Sequence, residues 1–295
     1  MLSRSVLGVA LASAAGVFWG SMSIAAQYLM ESVAFDTVDF TALLLTGAGV
    51  LLALEAFVLR EDVFAPFRDG RDRRDLVFYA LGMLGIQLAF FLSIRDANAA
   101  TAALTVTTGP LFVTGWTAYS EHRAVTKEEW ISIALATAGV SLLVTKGDFS
   151  TLDFSPTGVL WGIASAACGA FCTVQPRRML SRLSIGVVVG WGMALGGAIL
   201  CIANPPNVAA VEWNFVTTGL YIHIAAVETV AAFRCYLKSL SYISAPTTAL
   251  LANFEPLTAV VLGVLLLGLT LNAAELIGIA LLAVMVFRLT RAKKK

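Results

Sequence analysis

Charged side chains are scarce in this sequence. They make up 13% of its 295 residues, against about 25% in a typical globular domain. A soluble chain of this length needs a polar surface that 58% hydrophobic residues cannot supply. No Lys or Arg stands in the middle of a long apolar run, which argues against a phosphate or nucleotide-sugar site within those runs, since such anions are held by buried cations. Walker A, H-E-x-x-H and G-x-S-x-G patterns are all absent, so the sequence offers no basis for an ATP-driven pump or an intramembrane hydrolase. The four cysteines, Cys168, Cys172, Cys201 and Cys235, all lie in apolar runs. No His or carboxylate stands near them at ligand spacing, so they read as small packing residues and not as a metal site. No organic cofactor and no nucleic-acid partner is implied.

What is present is a series of apolar segments separated by clustered charge. Ten are expected to span a membrane: Gly8–Met30, Val38–Leu59, Leu76–Ile94, Ala99–Tyr119, Trp130–Val144, Thr157–Val174, Ile185–Ala203, Phe215–Phe233, Ala245–Leu267 and Ala273–Phe287. The N-terminus resembles a signal peptide, but its apolar run continues to Met30, or about 35 Å of helix at 1.5 Å per residue, which favours an uncleaved first span. Several segments are shorter than the ~20 residues a lone spanning helix prefers, as helices inside a bundle can be. With ten spans, eighteen of the twenty Lys and Arg residues fall on one side, and only Arg95 and Lys146 on the other. This asymmetry places both termini in the cytoplasm, and one span more or fewer would destroy it.

The two halves, 1–147 and 148–295, read as related. "AALTVTTGPLFVTGW" from Ala102 lies over "TALLANFEPLTAVVL" from Thr248, which puts Pro110 on Pro256 and, without a gap, Glu129 on Glu275. "ASAAG" at Ala12 echoes "ASAAC" at Ala164. Five spans per half is an odd number, so the second half enters from the opposite side. The expectation is an all-α membrane fold of two inverted five-helix repeats with a site near the midplane. Glycines four apart, among them Gly16 with Gly20 and Gly158 with Gly162, mark close helix packing.

These residues resemble the drug/metabolite transporter superfamily, in its ten-helix EamA-type branch. The resemblance rests on the paired proline segments, on Glu121 and Gly139 following Pro110, and on the opening "GVFWGSMSIAAQY". The second half departs from the pattern, with Leu267 where the loop acid is expected. Within the branch the sequence is most similar to the YddG-type exporters of aromatic amino acids. The resemblance implies export of small metabolites by alternating access, in a bacterial inner membrane, with amino acids or amphipathic cations as substrates, protons as possible co-substrates, and a monomer in the lipid bilayer. An exporter of cationic drugs or other metabolites, or a non-transporting membrane subunit, stays open as an alternative.

Two carboxylates stand deep in apolar runs: Glu255 in "LLANFEPLTAVVLG" and Glu228 in "YIHIAAVETVAAF", with His223 five residues before the latter. A charge at bilayer centre costs at least about 2.5–3.5 kcal/mol. Each acid must therefore be protonated, hydrogen-bonded or facing a wet cavity. Glu255 could instead satisfy the carbonyl that Pro256 frees, and His223 could be a core histidine. Gln87, central in the third segment, needs amide partners. Ser23 and the aromatic residues Trp19, Tyr79 and Trp161 complete the expected substrate-binding set, although the interfacial belt also explains Tyr79 and Trp161. Gly16, Gly20, Pro110, Gly162, Pro176 and Pro256 are expected to serve hinges and packing.

Overall fold

The computed structural model describes residues 4–31, 33, 35–151, 155–258 and 271–292, which are helical apart from short connections. The principal helices are α1 (Arg4–Glu31), α2 (Thr37–Val58), α3 (Gly70–Asp96), α4 (Ala99–Val106), α5 (Gly109–Ser120), α6 (Lys127–Thr145), α7 (Pro156–Val174), α8 (Arg177–Leu180), α9 (Ile185–Ala203), α10 (Phe215–Ser239), α11 (Ala245–Ala252) and α12 (Ala273–Ala292). Within α10 the stretch Ile224–Ala231 is π-helical. Most helices open on a short polar side chain that accepts from the first free backbone N–H groups: Asp36, Asp69, Asn98, Thr126, Ser155, Ser184 and Asn214. The apolar runs thus start where the sequence offers a cap.

Seven helices among the described residues are long and apolar enough to cross a membrane: α1, α2, α3, α6, α7 with α8, α9 and α10. Two expected spans take another form. The segment Ala99–Tyr119 is not one helix but α4 and α5, broken at Thr107 and Thr108. Pro110, in the first turn of α5, has no N–H to continue the ladder. At the break the Leu104 and Thr105 carbonyls accept from both the N–H and the hydroxyl of Thr107 and Thr108 respectively, the hydroxyls at 2.6 and 2.7 Å. The segment expected at Ala245–Leu267 likewise breaks at Asn253 before Pro256 and resumes over 254–258. Its remainder lies outside the described residues.

The helices pair across the halves. α2 packs on α9, α3 on α7, α6 on α12, α1 on α10 and α11, and α4 and α5 on α7. Two of these pairs are visibly antiparallel. Arg288 near the end of α12 reaches Glu128 at the start of α6 (2.7 Å), while the Asn272 amide before α12 donates to the Lys146 carbonyl after α6 (2.7 Å). Asp39 at the start of α2 accepts from Asn204 (2.9 Å) and from the Asn207 N–H (3.0 Å) beyond the end of α9. Glu129 and Glu275 also do the same local job. Each carboxylate accepts from the backbone N–H three residues earlier, Thr126 or Asn272, and that residue's side chain caps the glutamate's own N–H in return. Arg123 clamps Glu129 and also meets Glu121, and these carboxylates raise its guanidinium further above its ordinary value.

One face carries a charged clamp. Asp72, 3% exposed at its side chain, takes Arg178 at 2.6 Å and Arg182 at 2.7 Å. Asp72→Ala leaves two guanidinium groups facing one another without their shared anion. Because both arginines are more than 40% exposed, the expected loss is about 1–3 kcal/mol rather than the full cost of breaking a buried pair. Thermal unfolding in detergent reads it, and an unchanged midpoint would mean that Asp75 and Asp69, which also meet Arg178 at 3.1 and 3.8 Å, suffice together with water.

Candidate functional site

A cavity opens between the halves, enclosing about 880 Å³ of atom-free space, its solvent-facing mouth included. Its wall comes from α1, α3, the end of α4, α5, α7, α10, α11 and the break after α11. Glycines bring these elements together. A Cβ on Gly16 would stand 2.8 Å from the Ala252 carbonyl oxygen, and one on Gly20 2.4 Å from that of Glu255. The broken segment therefore lies directly against α1. On the other side, a Cβ on Gly162 would strike the Thr105 side chain, so α7 lies equally close to α4.

The wall is mostly apolar and aromatic, with a few polar atoms directed inward, the usual composition of a small-molecule pocket. Trp19 packs edge-on against Phe233 (ring centroids 5.2 Å apart) and tilted against Tyr236 (5.3 Å). Tyr236 shares a hydrogen bond of 2.9 Å with Thr173, and Ser165 donates to the Ile86 carbonyl at 2.9 Å. Three other polar groups of the wall are buried without a hydrogen-bond partner among the described residues: Tyr79 Oη, Gln87 Nε2 and Asn253 Nδ2. Such groups are uncommon in dry interiors, because each costs about 1–3 kcal/mol if left unmade. In a cavity, water or a ligand can satisfy them. Glu255 lies half-buried in the same wall.

The structure brings together Trp19, Tyr79, Gln87 and Glu255, with Pro110 beside them. Tyr79 is fully buried, packed so closely on α9 that a Cβ on Gly192 would lie 2.5 Å from its ring. Depth near a helix end suggests the interfacial belt, but the azimuth turns this ring inward. Trp161 is 37% exposed and is not part of the wall. His223 and Glu228 also stand apart from it, facing one another within α10. The side chain of Ser23 lies outside the described residues. Pro176 marks the bend between α7 and α8, and Pro256 is buried just beyond Asn253.

Asn253, Phe233, Thr173 and Tyr236 are wall residues that the sequence reading passed over. Asn253 had a signal: an amide two residues before the membrane-embedded Glu255-Pro256 pair. Phe233 and Tyr236 stand in a stretch containing Arg234 and Lys238, which hides their inward face. Among the described residues no three His, Cys, Asp or Glu side chains come together as metal ligands would.

The sequence profile described as the EamA-like transporter family matches this chain twice, over residues 6–145 and 156–291. The chain is 32% identical over 273 residues to the uncharacterized inner membrane transporter YicL of Salmonella typhimurium, covering 91% of this chain and 90% of that protein. It is 27% identical to the threonine/homoserine exporter RhtA of the same species, covering 73% and 72%. It is 25% identical to the uncharacterized transporter YwfM of Bacillus subtilis, covering 95% and 93%. A solved crystal structure superposes with a TM-score of 0.77 at 18% identity, over 95% of each chain, a likeness of fold alone.

Proposed function

The chain belongs to the EamA-like transporter family, and from that premise we propose that it exports small amphipathic metabolites, principally amino acids including aromatic ones, across a bacterial inner membrane. The observation that carries the reading is the chemistry of the cavity wall. A zwitterion needs hydrogen-bond donors for its carboxylate and an acceptor or ring face for its ammonium. Gln87, Asn253 and Tyr79 offer the donors, while Glu255 and the ring face of Trp19 suit the ammonium. The cluster of Trp19, Phe233 and Tyr236 adds an aromatic surface to the wall, which suits a ring-bearing side chain. That RhtA is named an exporter of threonine and homoserine supports the amino-acid class.

The transport cycle in this proposal is alternating access of two inverted repeats, 1–147 and 148–295, each crossing the membrane five times with both termini cytoplasmic. Packing supports it. If α1, α2, α3, α4–α5 and α6 correspond to α7–α8, α9, α10, the broken segment beginning with α11, and α12, the cross-contacts match in pairs. α3 on α7 answers α10 on α1, and α4–α5 on α7 answers α11 on α1. α2 on α9 and α6 on α12 answer themselves, antiparallel, as an axis in the membrane plane requires. The monomer contains the whole wall and is the proposed unit.

A second reading, export of amphipathic cations, is favoured by Glu255 standing in a wall to which no Lys or Arg contributes among the described residues. Counterflow in proteoliposomes separates the two. Labelled aromatic amino acids and threonine are expected to exchange, and tetraalkylammonium ions are not. Exchange of the cations alone would replace the amino-acid reading with the second one, and exchange of none of these would remove both.

A further inference from the structure

Glu228 is fully buried at mid-helix in α10 and is not part of the cavity wall. The helix form explains what it faces. Side chains five residues apart diverge by about 140° on an α-helix, at 3.6 residues per turn. The wider i→i+5 turn of the π-helical stretch Ile224–Ala231 brings them onto one side. His223 Nε2 thereby stands 3.3 Å from Glu228 Oε1, with the imidazole 49% exposed and the carboxyl 0% exposed. The approach is not along a hydrogen-bonding direction, and neither carboxyl oxygen has a hydrogen-bond donor among the described residues. Among the described residues no other titratable side chain is directed at the pair. Ser21 of α1 faces the carboxyl group but donates to the Phe18 carbonyl at 3.0 Å. On α2, Asp39 is held by Asn204 and Glu55 by Arg234, at opposite ends of the helix. On α10 itself, Tyr221 donates to the Leu43 carbonyl at 2.8 Å.

We propose that His223 and Glu228 form a one-proton site, separate from the substrate cavity, whose occupancy is linked to the cavity through the π-helical stretch. With one proton the pair is neutral overall, either as imidazolium with carboxylate or as imidazole with carboxylic acid. Without it a bare carboxylate remains in a dry environment, which a protein tolerates poorly. In this proposal the proton comes and goes through the imidazole, the less buried partner of the pair. π-helical turns inside longer helices recur at functional sites. Here the stretch ends at Ala231, and Phe233 and Tyr236 follow it into the cavity wall. Relaxing the π turn to α geometry rotates those rings relative to Trp19. The site itself is independent of the transport reading; its link to flux rests on that reading.

Two measurements on the full chain in lipid nanodiscs or proteoliposomes test this. Infrared difference spectra across a pH titration should contain a carboxylic-acid carbonyl band that Glu228→Gln removes and that His223→Gln moves to another pH. This readout needs no transport. Counterflow of the best-exchanged amino acid should vary with pH in the parent, by up to about tenfold per pH unit where a single proton governs it, and should lose that dependence in Glu228→Gln. If the parent and Glu228→Gln give the same infrared titration, with Glu228→Gln eluting as the parent does, the site does not exist. If the band titrates but parent and variant share one pH profile of flux, the link to the cavity is overturned. Absence of flux in the parent at every pH, with the band intact, counts against the transport reading and the link but leaves the proton site standing.

Discussion

Gly49→Leu is expected to destabilise the folded protein by about 3 kcal/mol or more. A Cβ at Gly49 would stand 2.5 Å from the backbone nitrogen of Ala194, 2.7 Å from its Cα and 2.8 Å from its Cβ. Gly197 repeats the contact about one turn along, where a Cβ would meet Thr46 Oγ1 at 2.4 Å and the Thr46 nitrogen at 2.7 Å. These obstacles are largely backbone, so no rotamer change relieves them. The substituted helices must separate, and with them the α2–α9 pair that joins the halves. In a bilayer, helix association depends on close van der Waals contact and not on apolar burial, so separation forfeits most of what holds the pair. Overpacking a core costs about 1–3 kcal/mol where side chains can adjust. Here the loss should reach the top of that range or exceed it. Size-exclusion elution and thermal unfolding in detergent provide the measure. Gly219→Ala is the control: its site has nothing within 4 Å, and a helix gains roughly 0.5–1 kcal/mol from Ala over Gly. If Gly49→Leu melts with the parent, the helices do not cross as closely as described.

This contact also marks where sequence reasoning stopped. Glycines spaced four apart were the packing signal that the sequence offered on α1 and α7, at Gly16, Gly20 and Gly162. Gly49 and Gly197 belong to no such pair, and their role depends on which turn of one helix meets which turn of the other. The overlay of Glu129 on Glu275 was legible for the opposite reason. A capping box is a local device, so its residues keep fixed spacing wherever the helix packs. Depth in the membrane could be read for Tyr79, Glu228 and Glu255 alike, because hydropathy runs along the chain. Azimuth could not. Tyr79 turns inward, Glu255 reaches the cavity, and Glu228 turns to His223, since a π-helical stretch leaves no periodic trace among residues this uniformly apolar. The proline breaks were half legible: Pro110 and Pro256 were marked as bending points, but the tight turn before Pro110, in which Thr107 and Thr108 bond the Leu104 and Thr105 carbonyls through both N–H and hydroxyl, was not.

The cavity amides offer the test in which stability and function should move in opposite directions. Gln87 is 2% exposed and Asn253 6% exposed, and the nitrogen of each side-chain amide has no hydrogen-bond partner among the described residues. If they serve the fold, Gln87→Leu and Asn253→Leu should destabilise it. If they wait for a ligand, leucine removes a donor the fold never used, and replacing such a group with an apolar one is neutral or stabilising. The expected result is an unchanged or raised unfolding temperature together with amino-acid counterflow at least about tenfold lower. That factor corresponds to about 1.4 kcal/mol of lost stabilisation in the rate-limiting state, less than one charge-assisted hydrogen bond to a substrate carboxylate supplies. Gln87→Glu and Asn253→Asp sharpen the comparison. They keep the size but put an acceptor where a donor stood, so they should suppress exchange of amino acids while sparing that of any cation the cavity admits. Parallel loss of stability and flux in the leucine variants would assign both amides to the fold. Full flux in both would move the substrate path away from this cavity, because its wall presents both donors.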